Sequence, residues 1–192
     1  MRKASISRKT KETDIEITLN LDGGACHLGI PSGFLTHMLD SLAKHAGIGL
    51  TLKAEGDVHV GLHHTVEDIG IVFGQALKEA LGDKQGINRY GCAKVPMDEC
   101  LVEVALDISG RPYFMIHGDA AFAGQAGDID LELVPEFFRS LACNAGITLH
   151  MSVFASGNAH HLAEACFKAF ARALREALTV TGKDIPSTKQ VL

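Results

Sequence analysis

The two halves of this chain carry the same succession of sequence patterns. A repeated pattern constrains the fold strongly, because each copy must form the same structural unit. Three pairs of segments align: 14–24 (DIEITLNLDGG) with 101–111 (LVEVALDISGR), 44–52 (KHAGIGLTL) with 143–151 (CNAGITLHM), and 75–82 (QALKEALG) with 172–179 (RALREALT).

Corresponding positions keep a nearly constant separation along the chain. Asp22 corresponds to Ser109, 87 residues later, and His37 corresponds to Glu136, 99 residues later. A chain of 192 residues is long enough for one sizeable domain or two small halves that share a core. We therefore predict one domain over 1–192, built from repeated halves at about 1–86 and 87–192.

Each half shows the same order of secondary-structure signals. An alternating strand pattern is followed by an apolar helix that ends at glycine, a second alternating strand and a long amphipathic helix. The second strands carry Ile48, Leu50 and Leu52, matched by Ile147, Leu149 and Met151. The patterns predict an α+β fold with two helices layered on strands in each half. The acidic stretch at 127–136 is expected to be a solvated linker.

Composition excludes several classes of protein. The formal charge is -5 without a basic block, so nucleic acid is not an expected partner. The sequence offers no apolar run of membrane-spanning length and no apolar secretion signal at its start, so we expect no membrane partner and a cytoplasmic location. Five cysteines without CxxC spacing predict reduced thiols rather than a disulfide framework.

A pair of histidines followed by glutamate occurs once in each half. The first motif is His63, His64 and Glu67, and the second is His160, His161 and Glu164. Each opens a long helix, where positions three or four apart share a face and adjacent positions do not. A single His-x-x-Glu is a common helical pair, but its repetition in corresponding elements indicates a metal or catalytic site.

The spacing predicts two metal ions, each drawing on both histidine pairs. Imidazole and carboxylate ligands suit Mn, Fe, Co, Ni or Zn, whereas the strongest zinc signal, thiolate, is missing from the motifs. His37 and its repeat partner Glu136 lie in the preceding helix of each half and complete the candidate set. Eight ligands serve two octahedral ions: His37, His63, His64, Glu67, Glu136, His160, His161 and Glu164.

Five blocks spread over the chain resemble the imidazoleglycerol-phosphate dehydratases of histidine biosynthesis. The blocks are HHTVEDIGI (63–71), SGRP (109–112), FFRSLACNAGITLH (137–150), HHLAEACFKAFARAL (160–174) and STKQVL (187–192).

The resemblance implies a fold, a reaction and an assembly. The fold is a duplicated two-layer α/β sandwich of the ribosomal protein S5 domain 2 type. The reaction is elimination of water from D-erythro-imidazole-glycerol phosphate to give imidazole-acetol phosphate. Two Mn²⁺ ions per site hold the imidazole ring as imidazolate, and sites form between subunits of a 24-subunit homo-oligomer.

The resemblance also implies roles for residues outside the histidine motifs. Glu12 is the expected acid/base carboxylate and also contacts substrate, and His45 lies close to the glycerol hydroxyls. The expected phosphate and substrate contacts are Arg89, Arg111, Lys168, Ser187 and Lys189. Guanidinium suits this purpose because its planar fork holds phosphate oxygens in a defined orientation.

The chain departs from the family pattern at three places. Glu136 stands where many relatives have His, Gly61 and Leu62 stand where relatives carry acidic residues, and Gln190 stands where Gly is usual. The first departure bears on metal preference, because it replaces an imidazole with a carboxylate.

Three other functions compete with a dehydratase. A metal-dependent phosphoesterase also uses two ions, but such a site normally carries more Asp and fewer His. A metal-storage protein needs ligands but no anion-binding arginines, whereas this chain has Arg89 and Arg111 in the matching motifs. A purely structural oligomer explains the repeat but gives no reason for the histidine pairs.

Overall fold

The structure is a computed structural model that describes residues 2–189 and 191–192. Gln190, one of the departures from the family pattern, lies outside the described residues. Within these ranges no helix combines the length and the apolar character needed to cross a membrane.

Each half contains four main strands and two helices in the same order. The first half comprises β1 (Lys3–Lys9), β2 (Thr13–Asn20), β3 (Cys26–Gly29), α1 (Gly33–Ala46), β4 (Gly49–Gly56) and α2 (His63–Leu81). The second comprises β5 (Tyr90–Met97), β6 (Cys100–Asp107), β7 (Tyr113–His117), a short hairpin of β8 (Gln125–Ala126) and β9 (Ile129–Asp130), α3 (Leu133–Ala145), β10 (Thr148–Ala155) and α4 (Ala159–Leu178). The predicted duplicated α+β fold is confirmed.

The two large sheets have equivalent strand orders, β1-β2-β4-β3 and β5-β6-β10-β7. Only the β3–β4 and β7–β10 pairs are parallel, and Ile17 pairs with Leu52 as Val104 pairs with Met151. The inward residues of the central strands are buried, as their alternation predicts. The sequence patterns did not reveal β1, β3, β5 and β7, whose faces are mostly exposed or half-buried.

The halves meet through their helices. Helices α1 and α2 contact the first sheet, α3 and α4 contact the second, and α2 packs on α3 while α1 packs on α4. A glycine on α2 lets this helix lie close to α3, because a Cβ on Gly74 would be only 2.5 Å from the Leu141 carbonyl oxygen. The large side chains that fill this region are fully buried: Phe73, Phe137, Phe138, Phe167 and Phe170.

Facing helices run parallel, so their N-terminal ends coincide. Gly70 of α2 faces Phe137 and Ser140 of α3, and Gly74 one turn later faces Leu141 and Asn144. In the other pair, His37 lies near Glu164 at one end and Gly47 lies near Arg175 at the other. The histidine motif at the start of α4 therefore lies beside the start of α1, and the motif at the start of α2 lies beside the start of α3.

The prediction of a solvated linker at 127–136 is wrong. Ile129, Leu131 and Leu133 are buried, and the segment contains β9 and the start of α3. The Asp128 carboxylate accepts hydrogen bonds from the Ser32 hydroxyl and from the backbone N–H groups of Gly33 and Phe34. These bonds satisfy the free donors at the start of α1, so the segment holds the two halves together.

Candidate metal centre

The first cluster joins the start of α1 to the start of α4. His37 Nε2 lies 3.5 Å from Glu164 Oε2, and His160 Nε2 lies 3.1 Å from the same oxygen. The Lys168 ammonium contacts the other carboxylate oxygen at 2.6 Å. Burial would raise the pKa of Glu164, but Lys168 and His160 outweigh it and the pKa is lowered, so the carboxylate is ionised.

The second cluster joins the start of α2 to the start of α3. His63 Nε2 lies 3.9 Å from Glu67 Oε2, and Glu136 places a carboxylate oxygen within 4.8 Å of the ligand atoms of both. Arg139 donates to Glu136 and, at 3.3 Å, to Glu67. The hydrogen bond from Arg139 lowers the pKa of Glu136, so this carboxylate is ionised as well.

The two clusters are counterparts in the duplicated fold. His37 corresponds to Glu136, His160 to His63 and Glu164 to Glu67. Each cluster takes two members from one half and one from the other. Within one chain each cluster holds a histidine from one pair only, because α4 packs on α1 whereas α2 packs on α3. The expectation that each ion draws on both histidine pairs stays a prediction.

His64 forms a third group with Asp57 and Glu12. Its Nδ1 lies 3.0 Å from Asp57 Oδ2 and 3.9 Å from Glu12 Oε2. The hydrogen bond to Asp57 raises the pKa of His64, and Glu12 adds to that effect. Within the described residues, the Glu12 carboxylate accepts no hydrogen bond, and its side chain is 55% exposed.

His161 forms a fourth group with Asp98 and Glu99. Its Nδ1 lies 3.0 Å from Glu99 Oε2, and this hydrogen bond raises the pKa of His161. The backbone N–H of Asn158 and the His161 ring together lower the pKa of Glu99 to about 2. Asn158 is also the N-cap of α4, and its side chain accepts from the N–H groups of His160 and His161.

Asp57 and Glu99 bond histidines of the two motifs, but the sequence patterns did not single them out. A carboxylate on Nδ1 fixes the ring orientation and leaves Nε2 as the free ligand atom, which is a common arrangement around metal-binding histidine. The repeat contained a signal for Glu99, because it lies 87 residues after Glu12 in the corresponding hairpin turn. Asp57 has no such signal, since it lies in the loop before α2.

The donor set fits divalent transition metals. In residues 2–189 and 191–192, four groups of His, Asp and Glu place ligand atoms within 4.8 Å of one another, and the eight predicted ligands are distributed among them. Imidazole and carboxylate without thiolate suit Mn, Fe, Co or Ni as well as Zn.

His45 lies on α1, two turns after His37, in a cleft that it lines with Lys44, Arg172 and Arg175. Burial lowers the pKa of His45, and the charges of Lys168, Lys44 and Arg172 lower it further. The neutral imidazole is therefore favoured, a form that both donates and accepts a hydrogen bond.

Four of the expected substrate contacts, Arg89, Arg111, Ser187 and Lys189, belong to a region at the opposite end of α4 from His160. Arg89 binds Asp107 through Nε at 2.7 Å and Nη2 at 3.0 Å, and its Nη1 donates to the Pro186 carbonyl, which brings the tail beside it. Arg111 lies 3.5 Å from the same Asp107. Ser187 and Lys189 follow Pro186, and the Lys189 N–H donates to the Ser187 hydroxyl.

The distance between the Arg89 region and the His160 cluster follows from the length of α4. The Arg89 N–H donates to the Ala177 carbonyl near the end of the helix, whereas His160 lies at its start. Seventeen residues at about 1.5 Å each place these regions roughly 25 Å apart. Lys168 alone among the expected phosphate contacts adjoins a metal cluster of its own chain.

Comparison with known proteins identifies the family. A sequence profile described as imidazoleglycerol-phosphate dehydratase matches residues 30–174. The imidazoleglycerol-phosphate dehydratase of Rhodopseudomonas palustris strain BisB5 is 52% identical over 98% of both chains. That of Xanthobacter autotrophicus is 53% identical over 100% of this chain and 99% of its own.

Solved structures show the same likeness. The Staphylococcus aureus imidazoleglycerol-phosphate dehydratase is 42% identical, with a TM-score of 0.84 over 93% of this chain and 99% of its own. The Pyrococcus furiosus enzyme, in complex with (S)-C348, is 35% identical, with a TM-score of 0.83 over 97% and 100%. This chain therefore belongs to the imidazoleglycerol-phosphate dehydratase family, the hydro-lyases that act in histidine biosynthesis.

Proposed function

We propose that the chain dehydrates D-erythro-imidazole-glycerol phosphate to imidazole-acetol phosphate at a site with two Mn²⁺ ions. The observation that carries this proposal is the pair of equivalent clusters, His37–His160–Glu164 and His63–Glu67–Glu136. Two clusters related by an internal duplication provide two similar metal positions.

The metal ions and the residues have separate tasks. The clusters His37–His160–Glu164 and His63–Glu67–Glu136 would hold two divalent cations, which would supply Lewis-acid stabilisation of negative charge on the imidazole ring of the substrate. Asp57 is hydrogen-bonded to Nδ1 of His64, and Glu99 is hydrogen-bonded to Nδ1 of His161. These hydrogen bonds orient both rings.

Glu12 moves protons in this proposal. Its carboxylate is exposed and near His64, whereas Asp57 already holds the His64 ring. A free carboxylate beside the metal ligands is suited to removing the proton from carbon or delivering one to the departing hydroxyl. His45, held neutral by its surroundings, binds the glycerol hydroxyls.

The site is completed by a neighbouring subunit. Arg89, Arg111, Ser187 and Lys189 bind the substrate phosphate, yet they lie roughly 25 Å along α4 from His160 in the same chain. A substrate of this size cannot span that distance, so the His37–His160–Glu164 cluster and these residues come from different subunits. We propose a closed homo-oligomer, with the 24 subunits expected from the family resemblance.

The whole chain acts as one catalytic domain made of halves at 1–86 and 87–192. Each half supplies members to both clusters, so neither half is complete alone. A cytoplasmic location fits the five cysteines, all of which are free thiols in the structure.

Metal removal tests the proposal. Turnover of imidazole-glycerol phosphate is measured with metal-stripped protein before and after Mn²⁺ is added. Activity that disappears with the metal and returns with Mn²⁺ supports the proposal. A folded, Mn²⁺-loaded oligomer that does not turn over this substrate contradicts it, and phosphate release from test esters would then favour a phosphoesterase.

A further inference from the structure

We infer that the two metal positions of this chain are chemically unequal, and that Glu136 makes the second one selective for harder ions such as Mn²⁺. This inference rests on the proposed di-metal function and extends it to metal selectivity. It follows from a comparison of the two clusters, position by position, across the duplication.

The ligand atoms of the clusters differ. The first cluster offers two imidazoles and one carboxylate, from His37, His160 and Glu164. The second offers one imidazole and two carboxylates, because Glu136 occupies the place that His37 has in the other half. Carboxylate suits Mg, Ca and Mn, whereas imidazole suits Zn, Cu, Fe and Ni.

The neighbouring charges differ as well. Lys168 pairs with Glu164, and the two charges cancel. In the second cluster, two carboxylates and the Arg139 guanidinium leave a net charge of −1. The duplication does not repeat either cation: Lys168 corresponds to Ile71, and Arg139 corresponds to Asp40.

Both differences act in the same direction. A dication gains more Coulomb energy at the cluster with excess negative charge, and a hard dication gains most from oxygen ligands. Softer Zn²⁺ has its advantage at the first cluster, whose two imidazoles and one carboxylate match a common zinc-binding set.

A competition experiment tests the inference on the assembled enzyme. Protein loaded with two Mn²⁺ per subunit is titrated with Zn²⁺, and released Mn²⁺ is counted by electron paramagnetic resonance. We expect half of the Mn²⁺ to leave first and the other half to require at least about tenfold more Zn²⁺, since ligand type sets selectivity.

Matched variants assign the effect to one residue. Glu136→His copies His37 and should merge the two phases into one. Glu132→His makes the same change of charge at the exposed start of α3, outside the clusters, and should keep both phases. If Glu136→His does not fold, Glu136→Gln preserves side-chain size and should lose the Zn²⁺-resistant Mn²⁺.

The outcomes separate the inference from the function on which it rests. Release of both Mn²⁺ ions in one phase from the unmodified protein overturns the inference and leaves the di-metal function intact. Two phases that persist in Glu136→His, or resistant Mn²⁺ retained in Glu136→Gln, overturn it too. Binding of fewer than two Mn²⁺ per subunit overturns both the inference and the proposed site.

Discussion

Glu12 and Glu99 occupy the same position in the two halves, yet their carboxylates have different partners. Each lies in the turn between the first two strands of its half. Glu99 bonds His161 and the Asn158 N–H, whereas Asp57 replaces Glu12 as the hydrogen-bond partner of His64. The duplication thus provides one carboxylate that orients a histidine, Glu99, and one that accepts no hydrogen bond among the described residues, Glu12.

Glu12→Gln is expected to abolish turnover while preserving the fold and the metal content. The amide keeps the shape of the side chain but cannot move a proton at neutral pH, and general acid–base catalysis contributes about 10²- to 10⁴-fold. Steady-state kinetics and metal analysis check this, with Glu16→Gln on the exposed side of β2 as the control. Near-normal turnover in Glu12→Gln would remove Glu12 from the mechanism.

Asp57→Asn should weaken Mn²⁺ binding by about 10- to 100-fold, the usual cost of losing a carboxylate behind a metal-binding histidine. Saturating Mn²⁺ should restore most of the turnover, because Asp57 acts through His64. Calorimetric titration with Mn²⁺ measures the change, and Asp14→Asn, at an exposed pair with Lys9, is the control. Equal Mn²⁺ affinity in both variants would show that Asp57 does not position His64.

The contribution of Glu99 to stability should depend on pH in a defined window. Its folded pKa of about 2 lies below the ordinary 4.5, so the folded state favours the ionised form. The stabilisation is therefore complete above pH 4.5 and is lost as the pH falls towards 2. Urea unfolding of the unmodified protein and Glu99→Gln should show a stability difference that shrinks across this window; a difference that grows towards low pH would refute the assignment.

Gly74→Ala should destabilise the contact between the halves by about 1–3 kcal/mol, the usual cost of overpacking. The added Cβ would lie 2.5 Å from the Leu141 carbonyl oxygen and 2.8 Å from Asn144 Cβ, both on α3. Gly33→Ala is the control, since its Cβ would meet no atom within 4 Å among the described residues. Equal unfolding midpoints for the two variants would contradict the packing argument.

Mixing inactive variants should restore activity if two subunits build each site. Arg111→Ala and Glu164→Gln are combined after metal removal and reassembled with Mn²⁺, and random mixing at a two-subunit interface recovers about a quarter of the sites. Arg111→Ala mixed with Arg89→Ala should recover none, because both arginines contact Asp107 of one chain. If the first mixture recovers no activity, Arg111 and Glu164 act at a site within one subunit.

Local sequence patterns were sufficient for the repeat, the helices and the central strands. The periodicity of Ile15, Ile17 and Leu19 reflects one buried face, and the glycines after α1 and α3 adopt the left-handed conformation that ends a helix. The strands β1, β3, β5 and β7 carry weaker sequence signals, because most of their inward positions are only half-buried. Asp128 and its neighbours have the composition of a polar linker, and only the structure shows that Asp128 accepts a hydrogen bond from Ser32 at the start of α1.

The sequence by itself determined the duplication, the helices that open with histidine pairs and the resemblance that runs through both halves. Tertiary structure alone decided that His37 joins His160 and Glu164, and that Glu136 joins His63 and Glu67. It also decided that Asp57 and Glu99 hold the remaining histidines. The reason is physical: spacing fixes which side chains share a face within one helix, but contacts between halves depend on how four helices pack.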